Sequence, residues 1–201
     1  MIIKHISQLD SLYDSPSFRA KNKLQSKLDK HSIHFIKSSP FIIISTASKD
    51  YKMDASPRGG KSGFVKIIDS ETLVIPDAKG NNRIDSLKNI LETNVIGTIF
   101  LIPGVDETLR INGEAQITTN SEYLNLFKEE QHIPKICIVI KVKEVFLHCA
   151  KALMRSKLWD EDSKIERTKF PTMGEMLKDQ LGISEPAETH DAMVKRYEKD
   201  L

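Results

Sequence analysis

The chain has 201 residues, enough for one domain that removes roughly 70% of its unfolded surface from water. A hydrophobic share of 39% and a charged share of 29% exclude a disordered chain, and no stretch approaches the roughly 18 consecutive apolar residues of a membrane span. With 30 basic residues against 28 acidic ones and no long block of one sign, the net charge of +2 is a poor footprint for nucleic acid, so any anion has to be caught locally.

Two cysteines, Cys137 and Cys149, are too few for a disulfide framework, and each lies beside apolar residues. The first ten residues carry three isoleucines interrupted by Lys4 and His5, with no small-residue cleavage site. A reduced, cytoplasmic location is the expectation.

In chain order, residues 17–39 place Phe18, Leu24, Leu28, Ile33, Phe35 and Ile36 among lysines and stop at Pro40, which predicts one or two amphipathic helices. The period then changes. Residues 41–46 are a short β-rich run, and a polar turn at 49–52 leads into 53–56, as in a hairpin. Residues 64–68 and 72–75 flank an Asp69-Ser70 turn and predict a second hairpin. After a loop at 77–80, a helix is expected from near Asn81, with Ile84, Leu87, Ile90 and Leu91 on one face.

Residues 95–102 and 109–118 flank the turn Pro103-Gly104-Val105-Asp106, and the second run alternates through Ile111, Gly113, Ala115 and Ile117, as a long antiparallel pair does. Residues 121–130 read as a short helix opened by Ser121, and 136–147 as the longest, central strand. A helix at 151–159 and a charged helical tail broken at Pro171 and Pro186 close the chain. The expectation is a single domain over 1–201 with helices at 17–39 and a helical tail at 149–201. Six or more strands joined by short turns, with one inserted helix, argue against alternating βαβ units. They point to a mainly β, α+β protein: a small antiparallel barrel with peripheral helices.

Two segments could carry chemistry. In Asp54-Ala55-Ser56-Pro57-Arg58-Gly59-Gly60-Lys61-Ser62-Gly63, glycines let the backbone approach a ligand while Arg58 and Lys61 supply charge-assisted bonds suited to phosphate. A glycine-rich surface turn with incidental cations fits the same residues. Gly60-Lys61-Ser62 also looks like the end of a nucleotide-binding P-loop. That motif requires a glycine where Ala55 stands and a helix where 64–68 reads as a strand, so the reading fails twice. In the second segment, residues 75–88, Asn81 or Asn82 would cap a helix whose first turn offers free N–H groups and a positive dipole end, with Arg83 beside them. An ordinary capped helix with a solvated Arg83 is the alternative.

Other groups carry less. His31 with His34, and His148 with Cys137 and Cys149, give no recognised metal-ligand spacing, so no metal is expected. Lys151, Arg155 and Lys157 with Trp159 suit an anion or ring edge as well as the wet face of a short helix. No Ser-His-Asp or Cys-His arrangement can be assembled, and no catalytic residue is assigned.

The run Asp54-Ala55-Ser56-Pro57-Arg58-Gly59, then Gly63-Phe64-Val65, Leu73-Val74-Ile75-Pro76-Asp77, Gly80-Asn81-Asn82-Arg83, Asp85-Ser86-Leu87, Phe100-Leu101-Ile102-Pro103-Gly104, Glu107-Thr108-Leu109-Arg110-Ile111-Asn112-Gly113 and His148-Cys149-Ala150-Lys151-Ala152 resembles a branch of the pyridoxamine phosphate oxidase-like flavoproteins. The resemblance covers about residues 30–160. It implies a six-stranded antiparallel split β-barrel of the FMN-binding type, two copies of which hold two FMN molecules at their interface. Ser56, Arg58 and Lys61, with Asn82 and Arg83, match positions that hold FMN in the family. An FMN-dependent oxidoreductase acting on an unidentified small molecule is implied. A flavin- or haem-binding sensor or carrier on the same barrel is the alternative, and related barrels also bind deazaflavin. The chain ends Lys195-Arg196-Tyr197-Glu198-Lys199-Asp200-Leu201, without the basic and aromatic segment by which true pyridoxamine phosphate oxidases recognise their substrate, so the namesake activity does not carry over.

Overall fold

The computed structural model describes residues 2–200, so Met1 and Leu201, the ends of the domain expected over 1–201, lie outside the described residues. The period-2 runs become seven strands: β1 (Phe41–Ala47), β2 (Met53–Gly59), β3 (Lys66–Asp69), β4 (Thr72–Pro76), β5 (Val95–Ile102), β6 (Val105–Thr118) and β7 (Cys137–His148). They form one antiparallel sheet in the order β2-β1-β5-β6-β7-β4-β3. The family resemblance implied six strands. The seventh is β3, a four-residue edge strand, half to fully exposed, that pairs only with β4 across a shifted register.

Three strands separate β1 from β4 in the sheet, yet Ile42 and Ile44 of β1 share one core with Leu73 and Ile75 of β4. The sheet therefore curls around its apolar face. Ile96 and Phe100 of β5, Leu109 and Ile111 of β6, and Ile138 and Ile140 of β7 fill the middle of that core. The edges β2 and β3 do not pair, which leaves the barrel split between them. The link across the split is tied back by Gly60 N–H to Pro40 O (3.0 Å) and Gly63 N–H to Ser39 O (3.2 Å), and from it Phe64 and Val65 enter the core. Both glycines are required here. Gly63 has φ +76°, with Lys37 O 3.0 Å from where a Cβ would stand, and a Cβ on Gly60 would meet Phe64 Cβ at 2.8 Å. These glycines serve core packing.

Among the described residues there are eight α-helices. The expected helical stretch at 17–39 is divided: α1 (Ile6–Asp10) and α2 (Phe18–Asn22) precede an extended link, and only α3 (Lys30–Ser38) carries a core face. Asp29 caps α3 by accepting from Ser32 N–H at 2.7 Å, and Phe35 and Ile36 pack inward. Phe18 and Leu24, counted among the apolar positions of those amphipathic helices, are exposed. α4 (Asp85–Thr93) lies against β1 and β2, burying Leu87 and Ile90. α5 (Ser121–Leu124), capped by Asn120 rather than opened by Ser121, continues into a tight turn that places Phe127 on Val74 and Cys137, the outer side of β4 and β7.

α6 (Lys151–Ser156) stops before Trp159 because Lys157 adopts a left-handed conformation (φ 51°). α7 (Met173–Leu181) and α8 (His190–Tyr197) follow, and none of the last three helices buries a residue. Among the described residues no helix is long and apolar enough to cross a membrane.

Candidate functional site

The candidate site lies at the split, where α4 covers the edge strand β2. Register fixes which side chains meet there. Asp54, Ser56 and Arg58 stand opposite Thr46, Ile44 and Ile42 of β1, so they project from the same face as the core, but at the sheet edge. They are half-buried. What covers them is the polar start of α4, not the core. Three side-chain bonds position that helix: Ser86 Oγ donates to Asp54 Oδ2 (2.5 Å), Asn89 Nδ2 to Thr46 Oγ1 (3.0 Å) and Thr93 Oγ1 to Ala47 O (2.9 Å).

A cavity of about 370 Å³ opens between β2, residues 77–84 and the first turn of α4. Ser56, Arg58, Asn82 and Arg83 all line it, so the two segments singled out in the sequence converge on one space. Lys61 does not line it. It is exposed in the turn after β2, where its carbonyl accepts from Phe64 N–H at 2.9 Å. That turn leads to β3, the strand that the P-loop reading could not accommodate.

Helix α4 begins at Asp85, not near Asn81, and neither asparagine is its cap. Asn81 Oδ1 instead accepts from Arg83 N–H (3.1 Å), closing a local turn, and Asn82 (φ 60°) and Ile84 (φ 53°) are left-handed, which breaks any helix there. Ile84 occupies the cap position and offers no side-chain acceptor. The first N–H groups of α4 thus lack a side-chain cap at the end where the helix dipole is positive, and Asp85, Ser86 and Leu87 border the cavity.

The cations are held in different ways. Arg58 Nη1 donates to Ser56 Oγ (2.5 Å) and Pro57 O (2.9 Å), which folds the guanidinium back along β2. Arg83 pairs through Nε with Asp85 Oδ2 (2.8 Å), leaving its terminal nitrogens without a protein partner among the described residues. Lys79, which the sequence reading did not single out, also lines the cavity and meets Asp200 Oδ1 at 2.5 Å. Three carboxylates, Asp54, Asp77 and Asp85, share the lining. Burial pushes the Asp77 carboxyl above its ordinary value, and the Arg58 charge offsets this in part. Asp54 was legible as a wall residue, since it sits two positions before Ser56 in a period-2 strand. Asp77 and Lys79 fall inside the segment already singled out.

A second cavity of about 450 Å³ lies on the outward side of the sheet, over Ser45, Gly97, Asn112 and Glu144, where Asn112 Nδ2 donates to Glu144 Oε2 (2.8 Å). It holds none of the sequence-derived site residues. Among the described residues no group of three or more His, Cys, Asp or Glu could hold a metal ion. Trp159 Nε1 donates to Val105 O (3.0 Å), while Lys151, Arg155 and Lys157 are exposed, as on a wet helix face.

The chain matches the family described as "Pyridoxamine 5'-phosphate oxidase" over residues 28–149. No curated protein matches it. Among solved structures, a variant of HupZ from Group A Streptococcus is similar at 15% identity, covering 60% of this chain and 98% of that one, with a TM-score of 0.51. A putative pyridoxamine 5'-phosphate oxidase from Lactobacillus delbrueckii has 15% identity over 61% of this chain and 95% of its own, with a TM-score of 0.47. An FMN-binding protein from Syntrophomonas wolfei has 12% identity over 58% and 88%, with a TM-score of 0.43.

Proposed function

The chain belongs to the pyridoxamine 5'-phosphate oxidase family, and on that premise we propose that it is an FMN-binding oxidoreductase, working as a homodimer on a small molecule. One observation carries the reading: two segments each suited to an anion line a single cavity beside an uncapped helix start. The residues present fit the phosphate end of FMN. Ser56, Arg58, Asn82 and Arg83, with the first N–H groups of α4, would bind it, and Lys79 adds a charge at the rim. Lys61, exposed beyond β2, would reach the cofactor only from outside this cavity. A volume of about 370 Å³ is at the small end of ligand pockets (roughly 300–1,000 Å³), which suits the phosphate and its chain better than the whole cofactor.

When bound, FMN supplies hydride or electron transfer through its ring system, while the protein's part is to bind and orient it. The dimer reading is supported by the outward side of the sheet. Register aligns Pro57, Ile43, Ile99, Arg110 and Phe146 in one row across five strands, all of them at least partly exposed. Pro57 stands between Ser56 and Arg58, so this face adjoins the site from the other side of β2. Closed two-fold dimers are also the commonest assemblies. A reducing, cytoplasmic location suits the exposed free thiol of Cys149.

The visible absorption spectrum of the purified full chain, after incubation with FMN and removal of excess, tests the cofactor. Retained flavin bands at one FMN per chain are expected. A Soret band in the protein as isolated would replace flavin with haem, and a colourless protein that takes up neither would overturn the reading.

A further inference from the structure

Residues 2–27 form an arm with almost no contact to their own barrel: every one except Gln8 is exposed. The arm is not polar. Ile2 and Ile6 are 79% and 78% exposed, Leu12 65%, Tyr13 75% and Phe18 81%. With Ile3, Leu9 and Leu24 they offer on the order of 800 Å² of apolar surface, the share one partner contributes to a standard interface. Its helices α1 and α2 have five residues each and bury nothing, whereas isolated helices shorter than about 12–15 residues are marginal in water. The arm's own chain does not supply what would hold these helices.

The arm's root shows where a partner would arrive. Gln25 exchanges two backbone bonds with Val145 of β7 (2.9 and 2.7 Å), and Lys23 Nζ donates to Leu147 O (3.1 Å) while lying 5.3 Å from the centre of the Phe146 ring. Phe146, which Arg110 also approaches at 4.8 Å, ends the outward row described above. The arm therefore leaves the barrel at the border of that sheet face, on which Phe41 is also partly bare. Ile2, Ile6, Leu12 and Tyr13 fall in a stretch, residues 2–17, that carries Lys4 against Asp10 and Asp14, while Arg19, Lys21 and Lys23 stand nearer the arm's root, so most of the apolar surface has no cation beside it for anionic headgroups.

We propose that residues 2–24 of each protomer lie across a second copy of the chain, so that two exchanged arms clamp the dimer. This rests on the dimer proposed above and adds what holds it together. The test is sedimentation equilibrium on three full-length proteins: the parent, the double variant Leu12→Glu/Phe18→Glu, and Ile165→Glu as a control in the exposed tail. The altered arm residues touch no core, so the barrel should remain folded by circular dichroism. The expected result is a dimer for the parent and the control, and a dimer dissociation constant raised about a hundredfold, roughly threefold for each of the four anchors lost from the two arms, for the double variant.

Tryptic cleavage after Arg19 and Lys21 gives a second reading. It should slow in the parent as concentration rises through the dimerisation range. A double variant that dimerises as tightly as the parent, or cleavage independent of concentration, would overturn the arm while leaving the dimer standing. A monomeric parent would overturn both. Binding of the parent to phosphatidylserine vesicles, lost in the double variant, would make a membrane the arm's partner and overturn the proposal as well.

Discussion

Arg83 and Arg58 differ in how much each should contribute to anion binding. The Arg83 side chain is 75% exposed and already shares its Nε proton with Asp85, so its terminal nitrogens bring one charge-assisted bond at the low end of the usual range, about 1.5 kcal/mol. Arg83→Ala should weaken FMN binding about tenfold and riboflavin binding little, since riboflavin lacks the phosphate. Fluorescence quenching titrations of both flavins check this, and an unchanged FMN affinity would remove Arg83 from the site.

Asp77 works against the same anion. Burial raises its carboxyl above the ordinary 3.8, so the folded state holds that proton more tightly than the unfolded chain does. The resulting penalty is absent below the unfolded value and fully present once pH has risen past the folded one. Asp77→Asn should therefore raise Tm at pH 7, with the gain vanishing as pH falls below about 4, and should tighten FMN binding by removing a negative charge beside Arg58. Thermal melts across pH together with FMN titration test both parts. Weaker FMN binding in Asp77→Asn would mean that the carboxylate orients Arg58 rather than opposing the ligand.

At the scale of elements, the strands were the most legible part. The run read at 95–102 is β5 to the residue, and β6 and β7 begin or end within a few residues of their alternation. Burial on one face writes itself into a period of 2. The start of α4 was not legible: helical periodicity from Ile84 suggested a cap at Asn81 or Asn82, whereas two left-handed residues delay the helix to Asp85. An isoleucine at positive φ is disfavoured locally, so nothing in the residue type announces it. The helices expected at 17–39 failed in the opposite sense. Phe18 and Leu24 are apolar residues among lysines but have no core to face within the chain.

Glu71 shows a tie between elements that no local pattern announces. It lies in the turn before β4, pairs with Lys27 at 2.7 Å and with Lys141 of β7, and so links the arm's root to the sheet. The hydrogen bonds from Lys141 and Lys27 hold its carboxyl down at about 2, against an ordinary 4.5. Its stabilising effect is present above the ordinary value and is lost as pH falls through about 2. Glu71→Gln should lower Tm modestly at pH 7, and the gap to the parent should close as pH approaches 2. A constant gap across that range would mean that the variant acts through packing instead.

At the scale of the molecule, the ordered matches along 30–160 gave the family, and the family match over 28–149 agrees with them. The site was legible in part. Ser56, Arg58, Asn82 and Arg83 meet in one cavity, because β2 turns its polar alternation toward α4 at the open edge of the barrel. Lys61 does not join them, because it stands exposed in the turn after β2, past the residues that line the cavity. What the sequence of a single chain could not announce is that these surfaces are left bare. The outward row and the arm are apolar at helix or strand spacing, and spacing alone does not distinguish a core within the chain from one shared with a second copy.

Arg58→Ala tests the placement of the FMN phosphate in the cavity at the split. Arg58 is half-buried and adjoins both Ser56 and Asp77, so its loss should cost a charge-assisted interaction near the upper end of the range, roughly 3 kcal/mol. The measurement is the ratio of FMN to riboflavin affinity in the parent and in Arg58→Ala, with the unfolding midpoint of each recorded beside it. The parent should prefer FMN, and the variant should lose about a hundredfold of that preference while riboflavin affinity and the midpoint hold. An FMN-to-riboflavin ratio that is the same in both folded proteins would contradict it and place the phosphate elsewhere.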